Sequence, residues 1–111
     1  MTIPMVSIQV GDGVPADSVG YALDHLRTLC TAYPLDSLRV RMRRTGHPSM
    51  PTYVLAQADA VMAGRLLRAR AVGPSPQAAV DVARARLGVL LGAAECWDRA
   101  DIGAGTSSHA V

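Results

Sequence analysis

The sequence predicts a single α+β domain whose elements follow the order strand, helix, strand, strand, strand, helix. Half of the 111 residues are hydrophobic, which is enough for one core but not for two independently stable units. Apolar residues alternate with other residues in three segments, small and branched residues fill a fourth, and apolar residues recur every three or four residues in two others. In this order both helices can cover one face of a four-stranded sheet and leave the other face to solvent.

The first strand and the first helix are predicted in the opening third of the chain. Residues 6–10 alternate between apolar and polar side chains, so Met5–Val10 is predicted to be a strand that ends at the turn residues 11–13. Residues 15–32 carry apolar side chains at helical spacing, and Pro34 stops the helix.

The second predicted strand, Ser37–Arg44, has one apolar face and one cationic face. Its apolar residues alternate with Arg39, Arg41 and Arg43. Successive side chains of a strand point to opposite faces, so these three arginines share the face that is turned away from the core. From the residues alone, a solvated face that protects against edge pairing explains them as well as a binding surface does.

Two further strands and a second helix complete the prediction. A proline- and glycine-containing loop precedes the third strand, 52–62, and a turn leads into the fourth, 66–72. The fourth strand turns Arg68 and Arg70 away from the core.

The second helix is predicted to start after the capping residue Ser75 and to end near residue 96. Its glycines Gly88 and Gly92 lie one turn apart, which predicts a close approach to the first helix or the sheet. Glycine, serine and threonine then dominate, so a domain of residues 1–97 and a flexible tail of residues 98–111 are expected.

The chain is expected to be soluble and cytoplasmic. Its longest apolar run, residues 87–94, is far shorter than the roughly 20 residues that cross a bilayer. Its first cation is Arg27, so no signal peptide is indicated, and Cys30 and Cys96 are too far apart in sequence to suggest a redox motif.

Positive charge is concentrated in the middle of the chain. Residues 39–86 contain nine arginines against Asp59 and Asp81, a net charge of +7, whereas residues 1–38 carry −3 and residues 87–111 carry −2. All eleven cations are arginine. A basic middle between mildly acidic ends indicates a polyanionic partner.

Catalytic, metal and cofactor sites are not indicated. His25, His47 and His109 are scattered, with no cysteine or carboxylate at metal-ligand spacing. Residues 11–13 lack the lysine ending of a phosphate loop, and no acid, base and nucleophile set is visible. We expect a non-enzyme without a cofactor, a membrane contact or a small-molecule substrate.

One stretch of the chain, together with the element order, carries a resemblance to a known family. Residues 64–91, GRLLRARAVGPSPQAAVDVARARLGVLL, resemble the N-terminal domain of the bacterial ribosome hibernation-promoting factor and ribosome-associated inhibitor family, the ribosomal subunit interface proteins. Residues 67–69 match a leucine-arginine-alanine motif, and residues 78–81 match an alanine-alanine-isoleucine-aspartate motif. The first helix has the hydrophobic spacing of the family at Val14, Tyr21, Leu26 and Leu29.

The resemblance implies a factor that binds small-subunit rRNA in the decoding channel, blocks messenger and transfer RNA, and silences translation under stress or in stationary phase. Its expected partners are the small ribosomal subunit and the whole ribosome. Family members often continue into a C-terminal domain that pairs ribosomes, so this chain alone is expected to silence single ribosomes without pairing them.

The family's basic contacts lie largely on the two helices, and here they are depleted. Arg84 and Arg86 match basic positions of the second helix, but Asp24 and His25 stand where lysines are usual and Arg27 is the first helix's only cation. We therefore expect the strand arginines to compensate. The full predicted rRNA-binding set is Arg27, Arg39, Arg41, Arg43, Arg44, Arg65, Arg68, Arg70, Arg84 and Arg86.

Other interpretations remain open at this point. A local ion pair with Asp81 competes with rRNA for Arg84, because the two residues lie one helical turn apart. A ligand-sensing or oligomerising regulatory module would form a dimer and respond weakly to salt. The predicted arrangement is also like that of double-stranded-RNA-binding domains, but those domains lack the first strand and begin their last helix with lysines.

Overall fold

The predicted element order is confirmed in the computed structural model, which describes residues 5–11 and 13–103. The elements are β1 (Met5–Val10), α1 (Ser18–Ala32), β2 (Ser37–Arg44), β3 (Val54–Met62), β4 (Arg65–Gly73) and α2 (Pro76–Gly103).

Two helix bounds differ from the prediction. Residues 15–17 form tight turns, in which Ser18 N donates to Pro15 O and Val19 N donates to Ala16 O, so α1 begins three residues later than predicted. The helix α2 runs to Gly103 and not to about residue 96, since the chain up to residue 102 contains no glycine or proline beyond Gly92 to stop it. The domain boundary at residue 97 stays a prediction, and residues 104–111 lie outside the described residues.

The four strands form one sheet in the order β1-β2-β3-β4. The strands β1 and β2 are parallel, as the crossover through α1 requires, and the other two pairs are antiparallel. The register places Val40 of β2 beside Ile8 of β1 and Ala58 of β3, and Ala69 of β4 next to Ala58. Apolar positions of all four strands therefore share one face.

Both helices pack on that apolar face. In the strands the face is built largely from small side chains, and Ala56, Ala58 and Ala60 of β3 are completely buried. Small residues let a helix approach the sheet closely, and Leu87 and Leu91 of α2 are completely buried in the resulting core. The opposite face of the sheet carries no helix, as predicted.

The junction between β4 and α2 depends on a glycine and on a capping serine. A Cβ on Gly73 would lie 2.8 Å from Ala79 N, so only glycine fits there without a shift. Ser75 Oγ accepts a hydrogen bond of 3.1 Å from Ala78 N, which confirms the predicted cap. The close approach predicted at Gly88 and Gly92 is made toward α1 and its C-cap. A Cβ on Gly88 would lie 3.8 Å from Leu29 Cδ2, which leaves room for alanine, and a Cβ on Gly92 would lie 3.4 Å from the Tyr33 hydroxyl oxygen.

Among the described residues, no helix is long and apolar enough to cross a membrane.

Candidate nucleic-acid interface

The face of the sheet without helices, called the open face below, presents arginines in cross-strand rows. One row, the acidic row, runs from β1 to β4 through Ser7, Arg39, Asp59 and Arg68. The next, the amide row, runs through Gln9, Arg41, Gln57 and Arg70. Arg43 continues the arginine series of β2 beyond the amide row. The predicted orientation of all five strand arginines, away from the core, is confirmed.

Asp59 neutralises part of the charge in the acidic row. Although it lies on the open face, its residue is only 9% exposed, because neighbouring side chains surround it. Its Oδ1 accepts a 2.9 Å hydrogen bond from Arg68 Nε, and its Oδ2 lies 3.9 Å from Arg41 Nη2. The Gln57 amide nitrogen also approaches both oxygens, at 3.4 and 3.3 Å. Asp59 thus engages Arg68 of its own row and is approached from the amide row, whereas the Arg39 guanidinium makes no hydrogen bond or ion pair among the described residues.

The amide row has no carboxylate of its own and borders a depression of about 350 Å³. Gln9, Arg41, Gln57 and Arg70 line it together with Arg43. Within the described part of the chain, no hydrogen bond or ion pair occupies the guanidinium groups of Arg43 and Arg70. Two cationic groups without a counter-ion at an open depression are an arrangement that attracts anions.

Arg86 extends this basic surface around the sheet edge. It is the second-helix arginine that reaches the edge strand β4, where its Nη1 donates a 2.6 Å hydrogen bond to Arg70 O. A second depression, of about 390 Å³, lies between β4 and α2 and is lined by Arg68, Arg70, Arg86 and the exposed apolar residues Val89 and Leu90.

Arg84 joins the two helices. Its Nε donates to His25 O at 3.0 Å, and its Nη2 donates to Thr28 Oγ1 at 2.8 Å. Arg84 therefore bonds to α1 and not to Asp81, the ion-pair partner considered above. Asp81 instead accepts a 2.8 Å hydrogen bond from the Tyr21 hydroxyl. This hydrogen bond and the nearby Asp81 charge raise the pKa of Tyr21. A contact of Arg84 with rRNA stays a prediction, and it would compete with the contacts to α1.

Arg44 fastens two loops. Its Nε donates to Gly13 O at 2.7 Å and its Nη1 donates to Pro51 O at 2.8 Å. A Cβ on Gly13, which has a φ of +82°, would lie 2.5 Å from Arg44 Nε, so the glycine makes room for this side chain. Arg44 belongs to the predicted rRNA-binding set, and its guanidinium already donates to these two carbonyls.

Two more predicted cations lie away from the open face. Arg27 is exposed on α1, and Arg65 is partly buried at the start of β4, on the same side of that strand as buried Ala69. The structure thus brings together five of the ten predicted arginines on the open face and adds Arg86 at its edge. Sequence reasoning missed the part played by Asp59, Gln9 and Gln57, whose alternation with apolar residues was the available signal.

No constellation for metal or nucleophilic chemistry is found among the described residues. No three His, Cys, Asp or Glu residues there are grouped as a metal ion needs. Burial raises the pKa of the Cys30 thiol, which lowers its thiolate fraction at neutral pH. Cys30 is a free cysteine, partly buried against the core. His109 lies outside the described residues.

Comparison with known proteins gives a structural likeness but no sequence match. No family model and no protein of curated function matches the sequence. A ribosomal subunit interface protein from Coxiella burnetii superimposes with a TM-score of 0.66, at 14% identity, over 83% of this chain and 99% of that one. The N-terminal domain of Thermus thermophilus Protein Y gives 0.65, at 16% identity, over 80% and 96%.

The chain has the fold of these ribosomal proteins. The resemblance seen in the sequence is confirmed at the level of the fold, since the predicted family is the one from which these neighbours come. Nearly the whole of each neighbour is matched, so the likeness covers their complete arrangement of strands and helices.

Proposed function

We propose that this chain is a ribosome hibernation domain, a non-enzymatic cytoplasmic protein that binds small-subunit rRNA in the decoding channel. Occupying this channel excludes messenger and transfer RNA and silences translation under stress or in stationary phase. The fold shared with a ribosomal subunit interface protein and with Protein Y supports the ribosome as partner. Binding and steric exclusion need no catalytic group, cofactor or small-molecule substrate.

The observation that carries the proposal is the excess of arginine on the open face. Five arginines share this face with Asp59, the one carboxylate among the described residues of its two central rows. Like charges on neighbouring strands repel, and a polyanion relieves this repulsion. Guanidinium groups suit the task because their planar donors match phosphate oxygens in pairs.

The helix layer supplies less charge for the same purpose. On α1 the exposed residues Asp24 and Arg27 offset one another, and Asp81 of α2 adds a further negative charge. Arg84 is engaged with α1. We therefore assign the main rRNA contact to the open face, with Arg86 contributing from the sheet edge.

The arginine contacts recognise RNA by the position of its phosphates. The described surface offers few aromatic side chains for base stacking: Tyr53, next to β3, is half-buried. Each phosphate contact releases counterions, so affinity should fall with salt by a log–log slope of roughly −0.7 to −0.9 per contact.

The test is co-sedimentation of the chain with purified small subunits and with whole ribosomes across a salt series. We expect stoichiometric binding at low salt that weakens steeply as salt rises, and a clear loss in the variant Arg39→Gln, Arg41→Gln, Arg43→Gln. Absence of binding at low salt would contradict the proposal. Salt-sensitive binding that the triple variant leaves unchanged would move the contact to the helices.

A second candidate, an oligomerising module, has one observation in its favour. The edge strand β4 exposes Leu66 and Val72 on the open face, at 58% and 52%, and the neighbouring Val89 of α2 is 71% exposed. However, Arg68 and Arg70 lie on the same strand, so two copies meeting at this edge would bring like charges together. Analytical ultracentrifugation separates the two candidates, because this one requires a dimer that persists at high salt.

A further inference from the structure

We propose that the depression beside the amide row binds one nucleotide unit, with its phosphate held by Arg41, Arg43 and Arg70 and its base edge held by Gln9 and Gln57. This inference rests on the proposed function and refines it, because it locates a discrete site on a face that is otherwise a diffuse positive surface. The ligand chemistry is a nucleoside phosphate, either within an unpaired RNA strand or as a free mononucleotide.

The two neighbouring rows differ decisively at the central strand. In the acidic row β3 places Asp59 between Arg39 and Arg68, whereas in the amide row it places Gln57 between Arg41 and Arg70. The rows are one pleat repeat apart, about 7 Å along the strand. An anion entering the acidic row meets a carboxylate that already accepts from Arg68, whereas an anion in the amide row meets a neutral amide. The second row is therefore the favourable place for phosphate.

The charges around the depression converge from two strands. Arg41 and Arg43 come from alternate positions of β2, and Arg70 comes from β4 on the far side of β3. The guanidinium groups of Arg43 and Arg70 have no partner among the described residues, and that of Arg41 keeps only a 3.9 Å approach to Asp59. Three long guanidinium side chains that line one depression from two strands can donate to the same phosphate.

The remaining lining suits a base. The depression's volume of about 350 Å³ falls within the roughly 300–1,000 Å³ of small-ligand sites. Leu55 gives it an apolar part, the amide of Gln9 offers both a donor and an acceptor, and Gln57 offers its amide oxygen as an acceptor while its nitrogen approaches Asp59. Amide groups with both functions can pair with base edges, whereas phosphate alone would make no use of an apolar wall.

The test uses fluorescence anisotropy of the full chain with a labelled single-stranded RNA hexanucleotide. Unlabelled competitors are the same hexanucleotide, its duplex, a nucleoside monophosphate and inorganic phosphate. The variants are Gln57→Asp, which gives the amide row a carboxylate, Arg70→Gln, and Asp59→Asn, which removes the carboxylate from the neighbouring row. Gln77→Asp makes the same substitution on α2, in the helix layer, and serves as the control matched to Gln57→Asp.

We expect Gln57→Asp and Arg70→Gln each to weaken hexanucleotide binding by about tenfold, the value of one lost charged hydrogen bond. Asp59→Asn should strengthen binding, a gain that misfolding cannot produce, and Gln77→Asp should change the affinity by less than about twofold. Equal losses in Gln77→Asp and Gln57→Asp, or no loss in Gln57→Asp, would overturn the proposal.

The competitors identify the source of the nucleotide. Competition by the monophosphate as well as by the hexanucleotide supports a site for free nucleotides, and competition by the hexanucleotide alone supports an unpaired RNA strand. If inorganic phosphate competes as well as the monophosphate, the base takes no part and the nucleotide site is overturned. If the duplex competes as well as the single strand, the site does not require an unpaired strand, and this too overturns it.

Co-sedimentation separates a failure of this inference from a failure of the proposed function. If the wild-type protein binds small subunits but Gln57→Asp binds the hexanucleotide normally, the discrete site is ruled out and the ribosome remains the proposed partner. If the wild-type protein binds the hexanucleotide in a Gln57-dependent way but does not bind small subunits, the site is retained and the ribosomal function is ruled out.

Discussion

The arginines on the helix side of the sheet and those on the open face differ in how far their guanidinium groups are hydrogen-bonded within the protein. On the helix side, Arg84 and Arg44 donate to backbone carbonyls of other segments and hold those segments together. On the open face, Arg43 and Arg70 have no acceptor among the described residues. The net charge of the middle segment therefore overstates the charge that is available to a ligand, because several of its arginines already donate hydrogen bonds within the protein.

The largest expected effect comes from neutralising the arginines around the amide-row depression. The variant Arg41→Gln, Arg43→Gln, Arg70→Gln should lose at least about 100-fold in affinity for small subunits at low salt, since each lost charged contact is worth about 1.5–3 kcal/mol. Its log–log salt slope should become shallower by roughly 2 to 3. Its free energy of unfolding should hold or rise, because mutual repulsion among the strand arginines is relieved. Co-sedimentation and urea denaturation measure the two quantities.

A comparison variant removes two arginines that lie outside the depression. Arg27→Gln combined with Arg86→Gln takes away one cation far from the open face and one at its edge. It should weaken binding much less than the triple variant. An equal or greater loss of affinity would place the main rRNA contact on the helices and contradict the assignment of that contact to the open face.

The next effect is on stability and concerns Arg84. Replacing it by lysine keeps the charge but cannot reproduce the bonds to both His25 O and Thr28 Oγ1, so we expect a loss of about 1–2 kcal/mol in the free energy of unfolding. The salt slope of ribosome binding should stay as in the wild type. Urea denaturation together with co-sedimentation checks both statements, and a binding defect without a stability defect would show that Arg84 serves rRNA.

A smaller loss of stability is expected for Arg44→Lys. The side chain is exposed, and its bonds to Gly13 O and Pro51 O fasten loops and not core elements. We expect the free energy of unfolding to fall by about 1 kcal/mol, measured as a lower urea midpoint at an unchanged m-value. Amide hydrogen exchange should become faster in the loops around both acceptors, and unchanged exchange there would contradict the fastening role.

The smallest effect is a pH dependence from the helix layer. The pKa of Tyr21 is raised because its hydroxyl donates to Asp81, so the neutral phenol is favoured in the folded state. This contribution to stability is fully present below the unfolded pKa of about 10 and is lost as pH rises through the folded value. Wild-type protein should therefore lose stability relative to Tyr21→Phe on alkaline titration, measured by thermal unfolding. If the melting temperatures of the two proteins depend on pH in the same way, this prediction is wrong.

Local patterns were enough to predict the elements. The alternation of Ser37–Arg44 placed its arginines on the correct face, and the capping pair at residues 75–76 located the start of α2. A strand's alternation and a helix cap depend only on residues that are close in sequence, so both could be predicted without knowledge of distant contacts. The end of α2 was missed because its last residues lost apolar periodicity without losing the ability to be helical.

The candidate site was predicted only in part, because it depends on register. The sequence placed Arg41 and Arg70 on the outward faces of two strands but could not say that Gln57 lies between them or that Asp59 holds Arg68. A shift of one residue would turn β3 over and remove both side chains from the open face. Likewise, the bonds that engage Arg84 span 56 and 59 residues of sequence, beyond the reach of any local pattern.

The most direct test of the central claim is a cryo-electron microscopy structure of the chain bound to the small ribosomal subunit. The account predicts that the open face lies against rRNA in the decoding channel, with Arg41, Arg43 and Arg70 within about 3 Å of phosphate oxygens. Arg84 should keep its bonds to α1. A complex in which the helix layer contacts the rRNA and the open face points to solvent would contradict the account.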